Sequence, residues 1–359
     1  MSRRHFSALA ALAIVAALAV TLLTPERMGR EDAPRREWLL GDLESRINDT
    51  REVVVRVAGD EVVATLERGP ERWTVSELHD YPADWPLLRG LLADLAQARV
   101  LELKTENPEY YPRLGVGEVS DPDAAGVLLE LALGDQRVGV IVGKEAANRD
   151  GQYVRVQGEA RSVLIDRPLD VPAAAVGWTD RDIVDVPSAG VAEAEIIHPD
   201  GDWVLVRKLS ADDTDFTLEN MPEGRELQSA WAANSLGGML AGLRLEDVRP
   251  EQELDWSEAV KVRVLQFSGV EVIADAITQD EGHWLRLRAA LPEAAAQPAT
   301  GEAVEADATA GGVTPDRAAA INARVAGWAY RIPEYKYTAM TKRLADLLKT
   351  EEAGNMAGS

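Results

Sequence analysis

The chain has 359 residues, a formal net charge of −23 and no cysteine, which excludes disulfide frameworks, lipoprotein anchors and thiolate metal sites. Its acidity also disfavours binding to nucleic acid or to an anionic membrane surface, because such contacts would repel instead of releasing counterions. With 46% hydrophobic residues and nine Trp, the sequence can fill ordinary cores across roughly two domains.

The N-terminal segment predicts a membrane anchor. An uncharged run from Phe6 to Leu23 follows Arg3-Arg4, and a helix of this length spans roughly 27 Å, close to the hydrocarbon core of a bilayer. Basic residues before the run place the N-terminus in the cytoplasm and the remaining chain outside. The alternative is a signal peptide cleaved near Ala17-Leu18-Ala19. We expect residues 1–24 to form the flank and anchor, and residues 25–37 a linker.

An internal repeat covers most of the remaining sequence. The matching stretches are 52–77 with 195–220 and 89–106 with 234–251. The match pairs Val53 with Ile196 and Trp73 with Phe216. What recurs is an apolar pattern without reactive side chains, which is typical of a scaffold or a binding surface.

Each copy predicts strands, then one helix, then more strands. In the first copy, extended segments at 52–57, 61–66 and 73–75 precede a helix that Asp84 caps. Its apolar face consists of Leu88, Leu91, Leu92 and Leu95. The corresponding face in the second copy consists of Leu236, Met239, Leu240 and Leu243. Gly237-Gly238 weakens this second helix by roughly 1 kcal/mol per glycine. The order predicts an α+β fold: a tandem duplication of mainly antiparallel sheets, each with one covering helix.

These patterns set the expected boundaries. The first α+β module covers residues 38–187 and the second covers 188–349. A segment at about 292–318, rich in Ala, Pro and Glu, predicts a disordered insertion within the second module. Residues 350–359 predict a disordered tail.

Two further segments carry a family resemblance. The module join Trp178-Thr179-Asp180-Arg181-Asp182 and the segment 327–336, which reads Gly-Trp-Ala-Tyr-Arg-Ile-Pro-Glu-Tyr-Lys, accompany the repeated unit of a strand, Trp, Tyr-Pro-Ala and a Leu-rich helix. Over roughly residues 38–349 the chain resembles the bacterial domain of unknown function 4340 family. The resemblance implies a single-pass inner-membrane protein, mostly periplasmic, encoded beside gliding-type ABC transporter subunits. It implies an accessory role and no catalytic residue.

The sequence predicts no catalytic, cofactor-binding or metal residue. Its histidines at positions 5, 79, 198 and 283 lack any ligand spacing, and it contains neither a nucleophile elbow nor a phosphate loop. Two acidic loops, Asp200-Gly201-Asp202 and Asp212-Asp213-Thr214-Asp215, supply oxygen atoms suited to Ca²⁺ but lack the distal Glu of a full calcium loop. Asp is also a common turn residue.

Docking by contact is therefore the predicted function. The candidate interface residues are Trp178, Asp180, Arg181, Asp182, Trp328, Tyr330, Pro333 and Tyr335. They combine large aromatic groups with charge, which suits a buried anchor with a polar rim. The alternative for both stretches is that they pack one module against the other. We predict a non-enzymatic, membrane-anchored envelope protein that docks on a partner such as an ABC transporter permease. Two alternatives stay open: a glycan- or peptide-binding module, which a Trp-lined groove would favour, and an unrecognised hydrolase, which would need a deep pocket with convergent carboxylates.

Overall fold

The chain forms two large antiparallel sheets joined by a small one. The computed structural model describes residues 37–147, 150–291 and 315–349. The predicted anchor at Phe6–Leu23, the linker, most of the insertion and the tail lie outside these ranges. Within them, no helix has both the length and the apolar character needed to cross a membrane.

The elements follow one another as the repeat predicts. The first sheet contains β1 (Thr50–Val57), β2 (Glu61–Arg68), β3 (Trp73–Val75), β4 (Tyr81–Pro82), β5 (Val100–Leu103), β6 (Val127–Leu133), β7 (Gln136–Glu145), β8 (Gln152–Val156) and β9 (Ser162–Ile165). The later strands are β10 (Asp182–Val184), β11 (Val191–Ile197), β12 (Trp203–Arg207), β13 (Thr217–Leu218), β14 (Leu243–Arg244), β15 (Asp247–Pro250), β16 (Val260–Gln266), β17 (Glu271–Gln279), β18 (Gly282–Ala290) and β19 (Trp328–Arg331). The helices are α1 (Leu43–Arg46), α2 (Trp85–Gln97), α3 (Tyr111–Leu114), α4 (Ala230–Gly237), α5 (Pro315–Val325), α6 (Glu334–Met340) and α7 (Leu344–Leu347).

The two large sheets have the same strand order. The first runs β4-β3-β2-β1-β6-β7-β8-β9-β5, and the second runs β13-β12-β11-β16-β17-β18-β19-β15. Without β4, every strand of the first sheet has a counterpart in the second with the same connectivity. Strands β10 and β14 pair separately, antiparallel, between the modules. The prediction of a mixed α+β fold with mainly antiparallel sheets is confirmed.

Hydrogen-bond register corrects the predicted alignment of the repeat. Val53 lies opposite Leu131 on β6, and its counterpart, opposite Val264 on β16, is Ala194 instead of the predicted Ile196. A bulge precedes both positions, between Thr50 and Glu52 in β1 and between Val191 and Glu193 in β11. A two-residue shift keeps every side chain on the same face of a strand, so the apolar pattern cannot reveal it.

Both modules share a core. One cluster of buried side chains includes Leu95 from α2, Leu240 from the turn after α4, and Trp178 from the junction. Residue 240 was predicted to be helical, but α4 ends at Gly237 and Leu243 lies in β14. The helix is shorter than predicted, whereas its apolar residues remain buried.

Helix α5 shortens the predicted insertion. It begins at Pro315, so the last four residues of the predicted 292–318 segment are helical. Ala318 packs against Val270 and Ala289, and the Asn322 side chain accepts a 2.7 Å hydrogen bond from the Ala289 amide and donates a 2.8 Å bond to its carbonyl. The amide side chain thus satisfies the backbone of β18 where β19 does not reach.

Candidate functional site

Most of the aromatic residues predicted at an interface lie at the junction of the two modules. Trp178 and Tyr330 are fully buried, and the Trp178 indole donates a 3.0 Å hydrogen bond to the Pro172 carbonyl. Tyr81 of the first module packs edge-on against Trp328, with ring centroids 4.9 Å apart. Burial raises the pKa of Tyr330, so its hydroxyl remains neutral. Trp328 and Tyr330 pack one module against the other through Tyr81. Trp178 lies in the core that the modules share, so these residues fit the alternative of internal packing instead of an exposed docking surface.

The charged candidates at the join also make contacts within the chain. Asp180 pairs with Arg324 of α5, and Asp182 pairs with Arg244 at 3.0 Å. Arg181 donates to a backbone carbonyl of the second module at 3.2 Å. Each contact joins the segment 180–182, which ends at the first residue of β10, to the second module, so the three charges stabilise the junction.

Tyr335 is the exception. It lies two residues after Pro333, the N-cap of α6, and is 69% exposed. Across from it, Trp231 on α4 is 72% exposed. The two helices enclose a groove of about 680 Å³. We call this the α4–α6 groove and define it by six of its lining residues: Trp231, Ser235, Met239, Tyr335, Lys336 and Lys342.

Packing and hydrogen bonds fix the position of helix α4, which carries Trp231. A Cβ on Gly237 would lie 2.2 Å from the Phe216 ring, so the helix packs on that ring more closely than any other residue type would allow. The Asn234 side chain accepts a 2.8 Å hydrogen bond from the Phe216 amide and donates one to Asp215 at 2.6 Å. Before the helix, the Gln228 amide donates to Leu347 at 2.8 Å. Trp231 therefore stands on a fixed support.

Two lysines lie at the groove. The Lys342 ammonium is 3.0 Å from Ser235 Oγ and 5.6 Å from the Trp231 ring centroid. The Lys336 ammonium donates to the Ala241 carbonyl and lies 5.8 Å from the Tyr335 ring centroid. Burial lowers the pKa of Lys336, and the negative charge of Asp185 offsets part of that change. Within the described ranges, neither ammonium forms an ion pair with a carboxylate.

Comparison with known families identifies the scaffold around this groove. The model of the "Domain of unknown function (DUF4340)" matches residues 73–260. The chain belongs to this family. The match begins at β3 and ends at the first residue of β16, so it includes Trp231 but not Tyr335, Lys336 or Lys342. No curated protein and no solved structure gives a match. Membership in the DUF4340 family therefore identifies the scaffold and assigns no activity.

A second cavity in this DUF4340 protein is lined by charges that neutralise one another. The cleft of about 360 Å³ beside α5 contains Arg286, whose guanidinium lies 2.8 Å from Asp275 and 3.9 Å from Glu251. The same guanidinium lies over the Trp256 ring, 4.8 Å from its centroid. Asp275 and Glu251 therefore hold a cross-strand arginine in place.

The acidic loops close turns. Asp213 accepts hydrogen bonds from the amides of Leu209 and Ser210 at 3.1 and 2.8 Å. The Asp202 amide and the Arg343 guanidinium lower the pKa of Asp200. Across the residues that the structure describes, no group of three or more His, Cys, Asp or Glu side chains could hold a metal ion.

Of the three described histidines, two make packing contacts. His283 stacks on Tyr337 with ring centroids 4.3 Å apart, and His198 is buried, with its Nε2 3.3 Å from the Lys342 carbonyl. His79 lies at the surface, 3.7 Å from Glu253.

The sequence placed Trp328 among the candidate interface residues and left Trp231 out. A signal was present, because Trp231 does not belong to the apolar helical face that contains Leu236 and Leu240. It shares a different stripe with Ser235 and Gly238, at i+4 and i+7. A Trp on the face opposite the core is a candidate surface anchor. Its partner Tyr335 lies more than 100 residues further along the chain, so only tertiary structure reveals the pair.

Proposed function

We propose that this chain is a non-enzymatic, membrane-anchored envelope protein that docks on a partner protein, and that the α4–α6 groove receives a segment of that partner. One observation supports docking above all others: Trp231 and Tyr335, each about 70% exposed, line a single groove between α4 and α6. Trp and Tyr are the residue types that dominate binding energy at protein interfaces. A soluble surface rarely keeps two such side chains together without a use.

The location and class of partner rest on the sequence. The apolar run Phe6–Leu23 behind two arginines supports an inner-membrane anchor with the rest of the chain in the periplasm. Resemblance to proteins encoded beside gliding-type ABC transporter subunits supports a transporter permease as the partner. The equal strand order of the two large sheets supports a tandem duplication, which supplies the scaffold.

The groove favours a protein segment over a glycan. Met239 lies at its base and is 1% exposed, and Ala339 lines it. The Ser235 hydroxyl already donates to Ala232 at 2.8 Å and lies within hydrogen-bond distance of Lys342. A sugar needs a dense set of free donors and acceptors beside its stacking platform, whereas apolar side chains need a surface of this kind.

Site-specific crosslinking tests this proposal. A photoreactive residue in place of Tyr335 should crosslink, in membranes, to one partner protein, whereas the same residue in place of Trp203, which is 42% exposed on β12, should not. Mass spectrometry identifies the partner. Its purified periplasmic part should bind Trp231→Ala about 30-fold more weakly than the wild type, the cost of losing an anchor of about 2 kcal/mol.

Stability provides the control. Because Trp231 is exposed, Trp231→Ala should unfold within roughly 0.5 kcal/mol of the wild type. Equal binding by Trp231→Ala and the wild type would refute docking in the groove. Crosslinking to a glycan in place of a protein would instead support the alternative function, a glycan-binding module.

A further inference from the structure

We infer that the partner segment is both apolar and acidic, with carboxylates that pair with Lys336 and Lys342. This inference rests on the proposed docking function and names the chemistry of the segment. It follows from the contrast between a protein of net charge −23 and a groove that carries two ammonium groups. Glu334, also at the groove, reduces the local charge but pairs with neither lysine among the described ion pairs.

The neighbouring cation shows what is unusual about these lysines. Arg343 follows Lys342 directly and pairs with Asp200 at 2.8 Å and Asp202 at 3.2 Å. Lys342 instead contacts a neutral hydroxyl, Ser235 Oγ, and the face of an aromatic ring. Among the residues that the structure describes, two carboxylates pair with this arginine and none pairs with Lys342.

Each ammonium is oriented but incompletely bonded. An ammonium has three donors, and the described contacts give Lys336 one hydrogen bond, to the Ala241 carbonyl. Its partial burial disfavours the charge, and Asp185 compensates only in part. A carboxylate that enters the groove would supply a charge-assisted hydrogen bond, which is about twice as strong as a neutral one. The two aromatic walls would at the same time cover apolar side chains of the segment.

A second copy of this chain is a weaker candidate for the occupant. Two copies would each bring a formal charge of −23 to the contact, and that repulsion opposes association. A separate partner with a short acidic and apolar segment places its carboxylates at the lysines without bringing a whole acidic domain.

Peptide selection tests the inference without knowledge of the partner. A phage library of random dodecapeptides is selected on the full-length protein and counter-selected on Trp231→Ala, so that retained peptides depend on the groove. We expect these peptides to be enriched in Asp and Glu beside Leu, Phe or Trp, and their affinity to fall as salt increases.

Charge removal supplies the second measurement. The double variant Lys336→Gln, Lys342→Gln keeps hydrogen-bond donors but loses both charges, and should bind a selected acidic peptide about tenfold more weakly. Lys261→Gln, at an exposed position on β16, is the matched control and should bind as the wild type does. Fluorescence anisotropy of labelled peptide gives the affinities.

The outcomes separate this inference from the docking proposal. Groove-dependent peptides without acidic enrichment, or an unchanged affinity in the double variant, would overturn the acidic segment and leave docking intact. No peptide dependent on Trp231 would overturn both. Dimers in analytical ultracentrifugation that Trp231→Ala abolishes would replace the partner segment with a second copy.

Discussion

Gly237→Ala should destabilise the protein by displacing α4 from Phe216. The new Cβ would lie 2.2 Å from two carbons of the Phe216 ring, whereas unbonded carbons approach to about 3.5–4.0 Å. Phe216 is only 5% exposed, so its ring cannot swing into solvent and the helix must move by more than about 1 Å. Overpacking of this kind costs about 1–3 kcal/mol. Replacing Gly by Ala in a helix returns up to about 1 kcal/mol, so we expect a net loss of about 1–2 kcal/mol.

Gly90→Ala is the control, because it should change the free energy of unfolding in the opposite direction. Gly90 lies inside α2, and a Cβ added there would meet no other atom within 4 Å. This variant should gain up to about 1 kcal/mol from helix propensity alone. Urea unfolding followed by circular dichroism compares both variants with the wild type. A Gly237→Ala protein as stable as the wild type would refute the close packing of α4 on Phe216, and with it the fixed position of Trp231.

Two further predictions concern Lys336 and the insertion. Burial lowers the native pKa of Lys336 while the unfolded chain returns it to about 10.5, so the unfolded state binds more protons between the two values. The free energy of unfolding should therefore rise as pH increases through that window. In Lys336→Gln, the urea midpoint should lack this part of the rise. A pH profile of urea midpoints identical to that of the wild type would contradict the prediction. Deleting residues 292–314 should change the melting temperature little, because loop-closure entropy varies slowly with length, whereas extending the deletion through Ala318 should lower it by removing a buried contact. Equal melting temperatures for the two deletions would contradict the role of Ala318.

The core of this fold is predictable because it depends on a local pattern. Alternating apolar residues define the strands, and the helical spacing of Leu88, Leu91 and Leu95 defines α2. The repeat adds the expectation that both modules use the same plan, and the strand orders agree. The register between strands is not predictable in this way, because the apolar pattern of a strand is unchanged by a shift of two residues. The bulges at Thr50 and Val191 are visible only in the hydrogen bonds.

The candidate site was less predictable for a related reason. Trp178, Trp328 and Trp231 are alike in sequence, and each lies near residues that suit either a core or an interface. What distinguishes them is burial: Trp178 is fully buried, while Trp231 is 72% exposed. Composition identified both Tyr335 and Tyr330 as candidate interface residues, yet Tyr335 is exposed and Tyr330 is buried. An interface within a chain and one between chains have the same composition, so sequence alone does not separate them.

In the part of the chain that the structure describes, only the second module has this groove, because the chain takes different paths after β9 and after β19. After β9, the chain enters the junction and packs Trp178 into the shared core. After the equivalent strand β19, it instead forms α6 and α7, which bring Tyr335, Lys336 and Lys342 against α4. The first module therefore lacks the second wall that its counterpart has. That wall lies beyond residue 260, where the DUF4340 match ends. The matched part contributes Trp231, and the C-terminal segment contributes Tyr335, Lys336 and Lys342. A substitution at Lys336 or Lys342 should thus alter partner choice without disturbing the duplicated sheets.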